Sequence, residues 1–198
     1  MAAVHQQRPR GQMRRRILRL AADWLQQRGY HGFSFAQLAE ALEVRSSAIH
    51  YHFPTKADLA TALFRQYREA FARWRAQMAD SRFDAGEQIE RFVDLEARNI
   101  DGEQVCPLGV AAVEYASLPA GACAEAEALC DDLLDWLTAT LIDGRAAGRL
   151  DFPGEAGDQA RALMAAAQGG LQLARVHGRS DFAAVRRAIL AGLISEGV

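Results

Sequence analysis

A dense group of polar and aromatic side chains, of types that bind phosphate groups, lies in the segment SSAIHYHFPTK. Ser46 and Ser47 are short polar residues that can approach base edges, whereas His50 and Tyr51 can reach phosphate oxygens. Lys56, the only lysine of the chain, comes at the start of the next helical pattern. A cation at that position is favourable only beside an anion, because a helix N-terminus is itself positive. The types and spacing of these side chains therefore predict contact with a polyanion.

The charges of the chain are unevenly distributed, although its formal net charge at pH 7 is only -2. A basic end on a mildly acidic body indicates that this end meets an anion. The basic arm spans residues 8–19, and its six arginines all precede the first acidic residue, Asp23: Arg8, Arg10, Arg14, Arg15, Arg16 and Arg19.

Helical periodicity of apolar residues runs through almost every long segment, and no segment shows sustained strand alternation. Ser34 and Thr55 are predicted helix N-caps because their side chains can accept hydrogen bonds from the first turn. Later helices are predicted from about Glu125 to Ala147 and from Asp158 to about His177, and Asp181 is predicted to cap the last helix. The sequence therefore predicts an all-α protein.

Two short helical segments with a tight break between them follow the first helix, as in a helix-turn-helix unit. Ser34 opens the first segment, the break lies at Glu43 and Val44, and the second segment begins near Arg45 or Ser46. Such a unit places the start of its second helix in the major groove of DNA. The pattern is not specific by itself, because many helical hairpins share it.

The full string FSFAQLAEALEVRSSAIHYHFPTKADL resembles the DNA-binding region of TetR-type transcriptional regulators. The resemblance covers about Ile17 to Leu63, and the rest of the chain is similar only in length and helical character. Arg45 stands where the family usually has a Ser or Thr cap, and His50 where it usually has Tyr; both departures bear on the base preference. The residues that fit the family pattern directly are Ser34, Leu38, Ala39, Val44, Ile49, Tyr51, His52, Phe53, Pro54, Lys56 and Leu59.

The polar cluster, the basic arm and the resemblance together predict which residues contact DNA. Ser46 and Ser47 are expected at base edges, and the other side chains on the phosphate backbone or in the minor groove. The alternative is that the two serines are only helix caps and that the arm is only solvated. The predicted DNA-contact residues are Arg14, Arg15, Ser34, Arg45, Ser46, Ser47, His50, Tyr51 and Lys56.

The resemblance also implies two domains and a homodimer. Residues 1–54 would form a three-helix DNA-binding domain, and residues 55–198 a helical ligand-binding and dimerisation domain. The last two long helices of each chain would form a four-helix interface, which sets two recognition helices roughly 34–36 Å apart on a near-palindromic operator. A small-residue face suits such an interface, with an ordinary internal core as the alternative: Leu163, Ala166, Ala167, Gly170, Leu171 and Ala174.

A cavity for a small-molecule effector in the C-terminal domain is a further implication of the resemblance. The residues predicted to line the cavity or to sense its ligand are Trp74, Phe92, Leu95, Cys106, Tyr115, Trp136 and His177. The alternative is that they are core residues, which most side chains of these types are more often than ligand contacts. Glu96 and Glu114 would matter for a cationic ligand, but nothing in the sequence chooses a ligand class.

Cys106 opens a predicted helix whose first residue is Pro107. Unpaired N–H groups at a helix start lower the pKa of a thiol and raise its thiolate fraction. An alternative function is therefore a repressor switched at Cys106 by an electrophile or oxidant, whereas the simpler interpretation is a small buried hydrophobe. Cys123 and Cys130 are separated by about 10.5 Å along a helix, too far for a mutual disulfide.

A cysteine-dependent enzyme is a more distant alternative, with Cys106 as nucleophile and the remote His177 as its base. The sequence contains none of the motifs G-x-G-x-x-G, G-x-x-x-x-G-K-[ST], H-E-x-x-H or G-x-S-x-G. His50 and His52 have H-x-H spacing, but side chains two apart on a helix diverge. We therefore expect no enzyme, no metal site and no cofactor.

The compartment follows from apolar patterning and cysteine usage. No run of about 18 apolar residues occurs, so no membrane span is expected. The start lacks the apolar segment of a secretory signal, and three cysteines form no paired framework, which favours the cytoplasm. The sequence thus predicts a cytoplasmic, homodimeric transcriptional regulator, most simply a repressor that a small molecule releases from its operator.

Overall fold

The computed structural model describes residues 10–98, 100 and 104–193, and all regular secondary structure within those ranges is helical. The all-α prediction is confirmed. Arg8 of the basic arm lies outside the described residues. None of the described helices combines the length and apolarity needed to cross a membrane. The helices are α1 (Arg10–Arg28), α2 (Phe35–Ala41), α3 (Ser46–His52), α4 (Lys56–Ala79), α5 (Ala85–Ala97), α6 (Pro107–Glu114), α7 (Ala120–Ala146), α8 (Ala156–His177) and α9 (Arg179–Ala191).

Three helices start with a capping box, in which the N-cap side chain and the side chain three residues later each accept a hydrogen bond from the other's backbone N–H. Each pair satisfies donors that the start of a helix leaves without intrahelical partners. The predicted N-caps at Ser34 and Thr55 are confirmed. The pairs are Ser34 with Gln37 at α2, Thr55 with Asp58 at α4 and Asp84 with Glu87 at α5.

Three helix starts differ from the sequence-based prediction. Helix α8 begins two residues before the predicted Asp158, at Ala156. Helix α7 begins earlier than expected, at Ala120, because Pro119 serves as its N-cap. Asp181 does not cap the last helix, which begins at Arg179. The N-cap is Gly178, whose φ of 106° lets the chain turn directly from α8 into α9 and leaves Asp181 in the first turn.

The first hydrophobic core joins α1, α2 and α3 to the N-terminal half of α4. Ile17, Leu38 and Ile49 are fully buried in it. Val110 of α6 and Ala122 of α7 belong to the same core. Core contacts therefore cross the boundary that the sequence predicts between residues 54 and 55, and the position of that boundary stays a prediction.

The second core fills the C-terminal body, where α4 and α5 pack on α7 and the hairpin of α8 and α9 closes the far side. The small-residue face of α8 packs within the chain. A Cβ atom at Gly170 would lie 3.0 Å from Val185 Cγ1 and 3.2 Å from Phe182 Cδ2, both on α9. Of the six residues of this face only Ala166 is not buried. This face therefore belongs to the internal core of the chain, which was the alternative to a dimer interface, because α9 folds back onto it.

The contact between α5 and α7 depends on a glycine, and we expect Gly144→Ala to destabilise the fold by about 1–3 kcal/mol. The added methyl group would lie 2.4 Å from Leu150 Cδ1 and 2.7 Å from Ala85 Cβ. Chemical denaturation measures the free energy of unfolding. The control is Gly11→Ala, whose nearest neighbour is the guanidinium end of Arg15 at 3.6 Å. A Gly144→Ala protein as stable as the wild type would contradict this close approach.

Candidate nucleic-acid interface and effector cavity

Helix α3 buries one side and exposes the other. Ile49 and Phe53, four residues apart, are 0% and 2% exposed, whereas Tyr51 is 64% exposed. The apolar side therefore anchors α3 on the first core, and its polar side faces outward. The other exposed side chains at this surface are Arg45, Ser46, Ser47 and His50.

A tight turn between α2 and α3 fixes where α3 begins. The Val44 N–H donates to the Ala39 carbonyl oxygen at 2.9 Å. Glu43 adopts a φ of 55° and is the one described non-glycine residue in the left-handed region. Arg45 is the N-cap of α3 but makes no side-chain capping hydrogen bond. Its guanidinium group is thus not used to start the helix.

His50 is held at the C-terminal end of α3. Its Nδ1 lies 3.1 Å from the Pro54 carbonyl oxygen, and its ring centroid lies 5.0 Å from that of Phe35. Because a carbonyl oxygen only accepts, Nδ1 carries the proton in this contact. Nε2 is then the ring nitrogen that remains for a further hydrogen-bond partner.

Lys56 has partners within the protein that the sequence did not indicate. Its Nζ donates to the Phe33 carbonyl oxygen and lies 4.6 Å from the ring centroids of both Tyr30 and Phe33. Burial lowers the pKa of Lys56, and the charge of Glu114 opposes that shift. Two aromatic faces and a carbonyl oxygen thus hold the ammonium group that the sequence assigns to a phosphate.

Arg14 of the basic arm lies beside Phe53, the residue that follows α3. Arg14 and Arg15 are exposed, and the Arg14 guanidinium carbon lies 5.1 Å from the Phe53 ring centroid. Burial, with a contribution from Arg14, lowers the pKa of His52. Ser34 is exposed, and its Oγ accepts the Gln37 N–H in the cap of α2. The DNA-contact assignments of these residues stay predictions.

Glu114, at the C-terminal end of α6, forms a link to the N-terminal unit that sequence analysis missed. Its Oε2 accepts a hydrogen bond from the Tyr30 N–H at 2.6 Å, and its Oε1 lies 3.5 Å from the His31 nitrogen. A Cβ atom at Gly29 would come within 2.8 Å of the same carboxylate. Because 84 residues separate Tyr30 from Glu114, no local sequence pattern predicts this contact.

The N-terminal end of α6 is bound to the same region of α1. The Val105 N–H donates to the Gln26 carbonyl oxygen at 2.9 Å, and Gln26 Nε2 donates to the Val105 carbonyl oxygen at 3.2 Å. Gln104 Nε2 also donates to Asp23 Oδ1 at 3.3 Å. Both ends of α6 are therefore hydrogen-bonded to the C-terminal part of α1 or to the residues that follow it.

A cavity of about 310 Å³ lies between α4, α5, α7 and the start of α6. Its volume falls within the range of small-molecule sites, which is about 300–1,000 Å³. Four of the predicted ligand-contact residues, Trp74, Phe92, Leu95 and Cys106, line it. The complete lining is Gln26, Tyr67, Ala70, Phe71, Trp74, Phe92, Leu95, Glu96, Arg98, Cys106, Pro107, Leu108, Leu129 and Leu133.

The remaining predicted ligand contacts lie elsewhere. Trp136 is buried behind the cavity wall, with its ring centroid 4.9 Å from that of Trp74. Tyr115 donates to Glu127 and lines a separate, larger groove of about 540 Å³ between α6, α7 and α8. His177 is exposed at the end of α8, where its Nδ1 lies 3.0 Å from Asp181 Oδ2. His177 and Tyr115 are thus not part of the cavity that Trp74 lines.

A buried polar group joins Glu96, Cys106 and Gln168. Gln168 Nε2 lies 3.4 Å from Glu96 Oε2 and 3.2 Å from Cys106 Sγ. Burial raises the pKa of Glu96, and its hydrogen bonds to Cys106 and Gln168 only partly offset that shift. Gln168 Oε1 is buried and has no hydrogen-bond partner among the described residues. The group therefore brings a poorly solvated carboxyl into the cavity wall.

Cys106 lies at the helix start that the sequence predicts, but the expected lowering of its pKa is wrong. Cys106 is the N-cap of α6 with Pro107 at the first position. Burial and the neighbouring Glu96 nevertheless raise the pKa of the thiol, and hydrogen bonds from the N–H groups of Leu108 and Gly109 do not compensate. The desolvation cost of a thiolate exceeds the stabilisation that a helix start supplies. The three cysteines are free, and Cys123 and Cys130 both lie on α7.

Metal-ligating side chains do not gather anywhere in the part of the chain that the structure describes. No group of three or more His, Cys, Asp or Glu side chains there could hold an ion. His50 and His52, which have H-x-H spacing in the sequence, contact Pro54 and the Tyr51 ring respectively.

The comparisons with known proteins agree with the geometry. The family model described as bacterial regulatory proteins, tetR family, matches residues 17–63. A TetR-family transcriptional regulator from Agrobacterium tumefaciens superposes with a TM-score of 0.89 at 31% identity, over 94% of this chain and 100% of that one. A TetR transcriptional regulator from Legionella pneumophila gives a TM-score of 0.78 at 28% identity, over 88% and 93% of the two chains.

A more distant relative shows the same fold. A protein from Saccharomonospora viridis, solved in complex with choline, superposes with a TM-score of 0.78 at 21% identity over 94% of this chain and 100% of that one. No curated protein matches the chain in the corresponding sequence search. The helix-turn-helix sequence, the fold and the identity to the Agrobacterium tumefaciens regulator together establish that this chain belongs to the TetR family of bacterial transcriptional regulators.

Proposed function

We propose that this TetR-family regulator is a cytoplasmic, homodimeric repressor that leaves its operator when a small molecule occupies the cavity lined by Trp74, Phe92 and Cys106. The observation that carries the proposal is the position of α6. Its first residues line the cavity, and hydrogen bonds at both its ends join it to α1 and the loop after α1. A ligand that displaces α6 would therefore move the DNA-binding unit.

The exposed side of α3 supports operator binding. Ser46 and Ser47 lie in the first turn, the part of a recognition helix that meets base edges. His50 and Tyr51 are exposed further along, where they would contact phosphate oxygens, and Arg14 and Arg15 would do so from α1. Base contacts would set the sequence preference, whereas the phosphate contacts would supply most of the salt-dependent affinity.

The outer surface of α8 supports a homodimer. Leu173 and Val176 are 46% and 76% exposed, although both are apolar. Ala162, Ala165 and Gly169 are exposed at helical spacing before them, so a second helix could approach closely along this stripe. This outer stripe, rather than the inner face that α9 covers, is our proposed contact with the second subunit.

The coupling between cavity and operator needs only a modest free energy. A difference of about 1–3 kcal/mol between the DNA-competent and the ligand-bound conformations changes operator affinity by about 5- to 150-fold. Hydrogen bonds to a charged group contribute about 1.5–3 kcal/mol each. Loss of the Glu114 hydrogen bonds would therefore account for a coupling free energy of this magnitude.

Ser47→Ala and Arg15→Ala are expected to affect DNA binding differently. Ser47→Ala should change the ranking of operator variants, because it removes a predicted base contact. Arg15→Ala should weaken binding to every duplex and lower the salt dependence by about one unit of slope per lost phosphate contact. Fluorescence anisotropy with operator, variant operators and random duplex measures both effects. Equal losses on all duplexes for the two variants would contradict this division of roles.

Glu114→Gln should weaken binding to a full palindromic operator by about tenfold, which corresponds to about 1.4 kcal/mol. An amide cannot accept both backbone N–H groups as a carboxylate does, so α6 would no longer fix the spacing of the two DNA-binding units. Binding to an isolated half-site should not change. Glu127→Gln, on an exposed carboxylate that contacts Tyr115, is the matched control. An equal loss on the half-site would place the defect in the DNA-binding unit itself.

The thiol-switch alternative requires a reactive Cys106 thiol, whereas the burial of Cys106 opposes that reactivity. We expect Cys106 to react with iodoacetamide much more slowly than Cys123, because the residue is only 5% exposed and the pKa of its thiol is raised. Cys123 is partly exposed. Peptide mass spectrometry after timed alkylation at pH 8 gives both rates, and denaturant should remove the difference. Faster labelling of Cys106 than of Cys123 in the folded protein would favour the switch.

A further inference from the structure

We propose that a second copy of this chain covers the groove between α6, α7 and α8, so that the outer side of α6 lies in the subunit interface together with the outer stripe of α8. This proposal rests on the homodimer proposed above and adds a surface to it. Each subunit would then hold the helix that joins the other subunit's cavity to its DNA-binding unit.

The groove has the composition of an interface rather than of a solvated surface. Most of the side chains along its length of about 540 Å³ are apolar or absent, and Val113 and Tyr115 on α6 are 85% and 46% exposed. Glu127 is the one charged residue among the described lining residues, and it accepts the hydrogen bond of the Tyr115 hydroxyl. The centres of protein interfaces are poor in charged residues and rich in Tyr. An apolar protein surface therefore fits this groove better than a polyanion does.

Gly169 indicates a close neighbour outside the chain. A Cβ atom at this position would meet no atom within 4 Å, whereas one at Gly170 would meet α9. Packing within the subunit therefore explains the glycine at 170 but not the one at 169. Glycine destabilises a helix interior relative to alanine, but it permits a close approach of another backbone. Since Gly169 lies on the outer stripe and also lines the groove, we infer that this approach comes from another subunit.

The outer stripe of α8 offers little surface by itself. A stable interface buries about 800 Å² on each partner. Three of the five residues of the stripe are Ala or Gly, so their side chains contribute little to such an area. The groove adjoins the stripe directly, because Met164, Gln168 and Gln172 of the same helix line it. An interface that extends across the groove gains the exposed apolar surface of α6.

A second copy is the occupant that the shape of this surface favours. A twofold contact uses the same patch on both subunits, so the patch must contain both a protrusion and a recess. Leu173 and Val176 protrude from α8, and the groove begins beside Gly169 on the same helix. An antiparallel pair of α8 helices centred on Gly169 would place these two side chains of each subunit over the N-terminal half of the other α8, where Met164 lines the groove.

This interface would give α6 three attachments with different roles. Its start lines the effector cavity, hydrogen bonds at its two ends join it to α1 and the following loop, and its exposed Val113 would contact the second subunit. Val110, on the inner side, is buried in the first core. An effector that displaces α6 would therefore loosen the contact between subunits as well as move the DNA-binding unit of its own chain.

The test is the dimer dissociation constant of the full chain, measured by fluorescence-detected sedimentation velocity from nanomolar to micromolar concentrations. Val113→Glu should raise this constant at least tenfold, because it buries a carboxylate in the interface but leaves it exposed in a separate subunit. Ile142→Glu is the matched control, since Ile142 is also apolar and 53% exposed but lies on α7 outside the groove. A Val113→Glu dimer as tight as the wild type would overturn the proposal.

Photo-crosslinking provides a measurement that does not depend on weakening the dimer. We expect p-benzoylphenylalanine in place of Val113 to give a covalent dimer on irradiation, with the crosslink on a peptide of α8, and the same group in place of Ile142 to give none. A crosslink from position 113 that stays within one chain would contradict the proposed contact.

Val176→Glu separates this proposal from the homodimer on which it rests. If Val176→Glu dissociates the dimer and Val113→Glu does not, the stripe of α8 is the interface and the contact through α6 is wrong. If the wild type is a monomer at micromolar concentration, the homodimer itself is contradicted, and the contact through α6 with it.

Discussion

The relation between the two halves of the molecule depends on the hydrogen bonds that join α6 to the end of α1. Val105 and Gln26 exchange two hydrogen bonds at one end of α6, and Glu114 receives the Tyr30 N–H at the other. Val110 of the same helix belongs to the core that carries α3. A short helix fixed at both ends and packed in between transmits a displacement rather than absorbing it, because packed interiors deform little.

Burial sets the chemistry of the cavity wall. Cys106 occupies a helix start, where exposed thiols are acidic, yet its pKa is raised because the thiolate would be desolvated next to Glu96. The same desolvation raises the pKa of Glu96. The buried Cys106 thiol is therefore less reactive toward an electrophile than an exposed thiol at a helix start would be. This desolvation of the thiol is why we favour a bound effector over thiol chemistry in this cavity.

The candidate DNA-binding surface shows how far local signals extend. The capping residues Ser34 and Thr55 and the apolar pair Ile49 and Phe53 predict both the helices and the buried side of α3, because each depends on residues within four positions. The contacts of Lys56 could not be predicted from such neighbouring residues. Its carbonyl partner on Phe33 lies 23 residues away, across the packing of α4 against the loop before α2.

The sequence by itself determined the helical class, the start and buried side of α3, the helix start at Cys106 and the resemblance to the TetR family. Only the tertiary structure decided that Trp74, Phe92 and Cys106 share a cavity wall with Glu96, whereas Tyr115 and His177 lie outside it. The reason is physical. Helix formation and capping depend on neighbouring residues, but desolvation, cavity shape and contacts such as Cys106 with Gln168, 62 residues apart, arise only when helices pack.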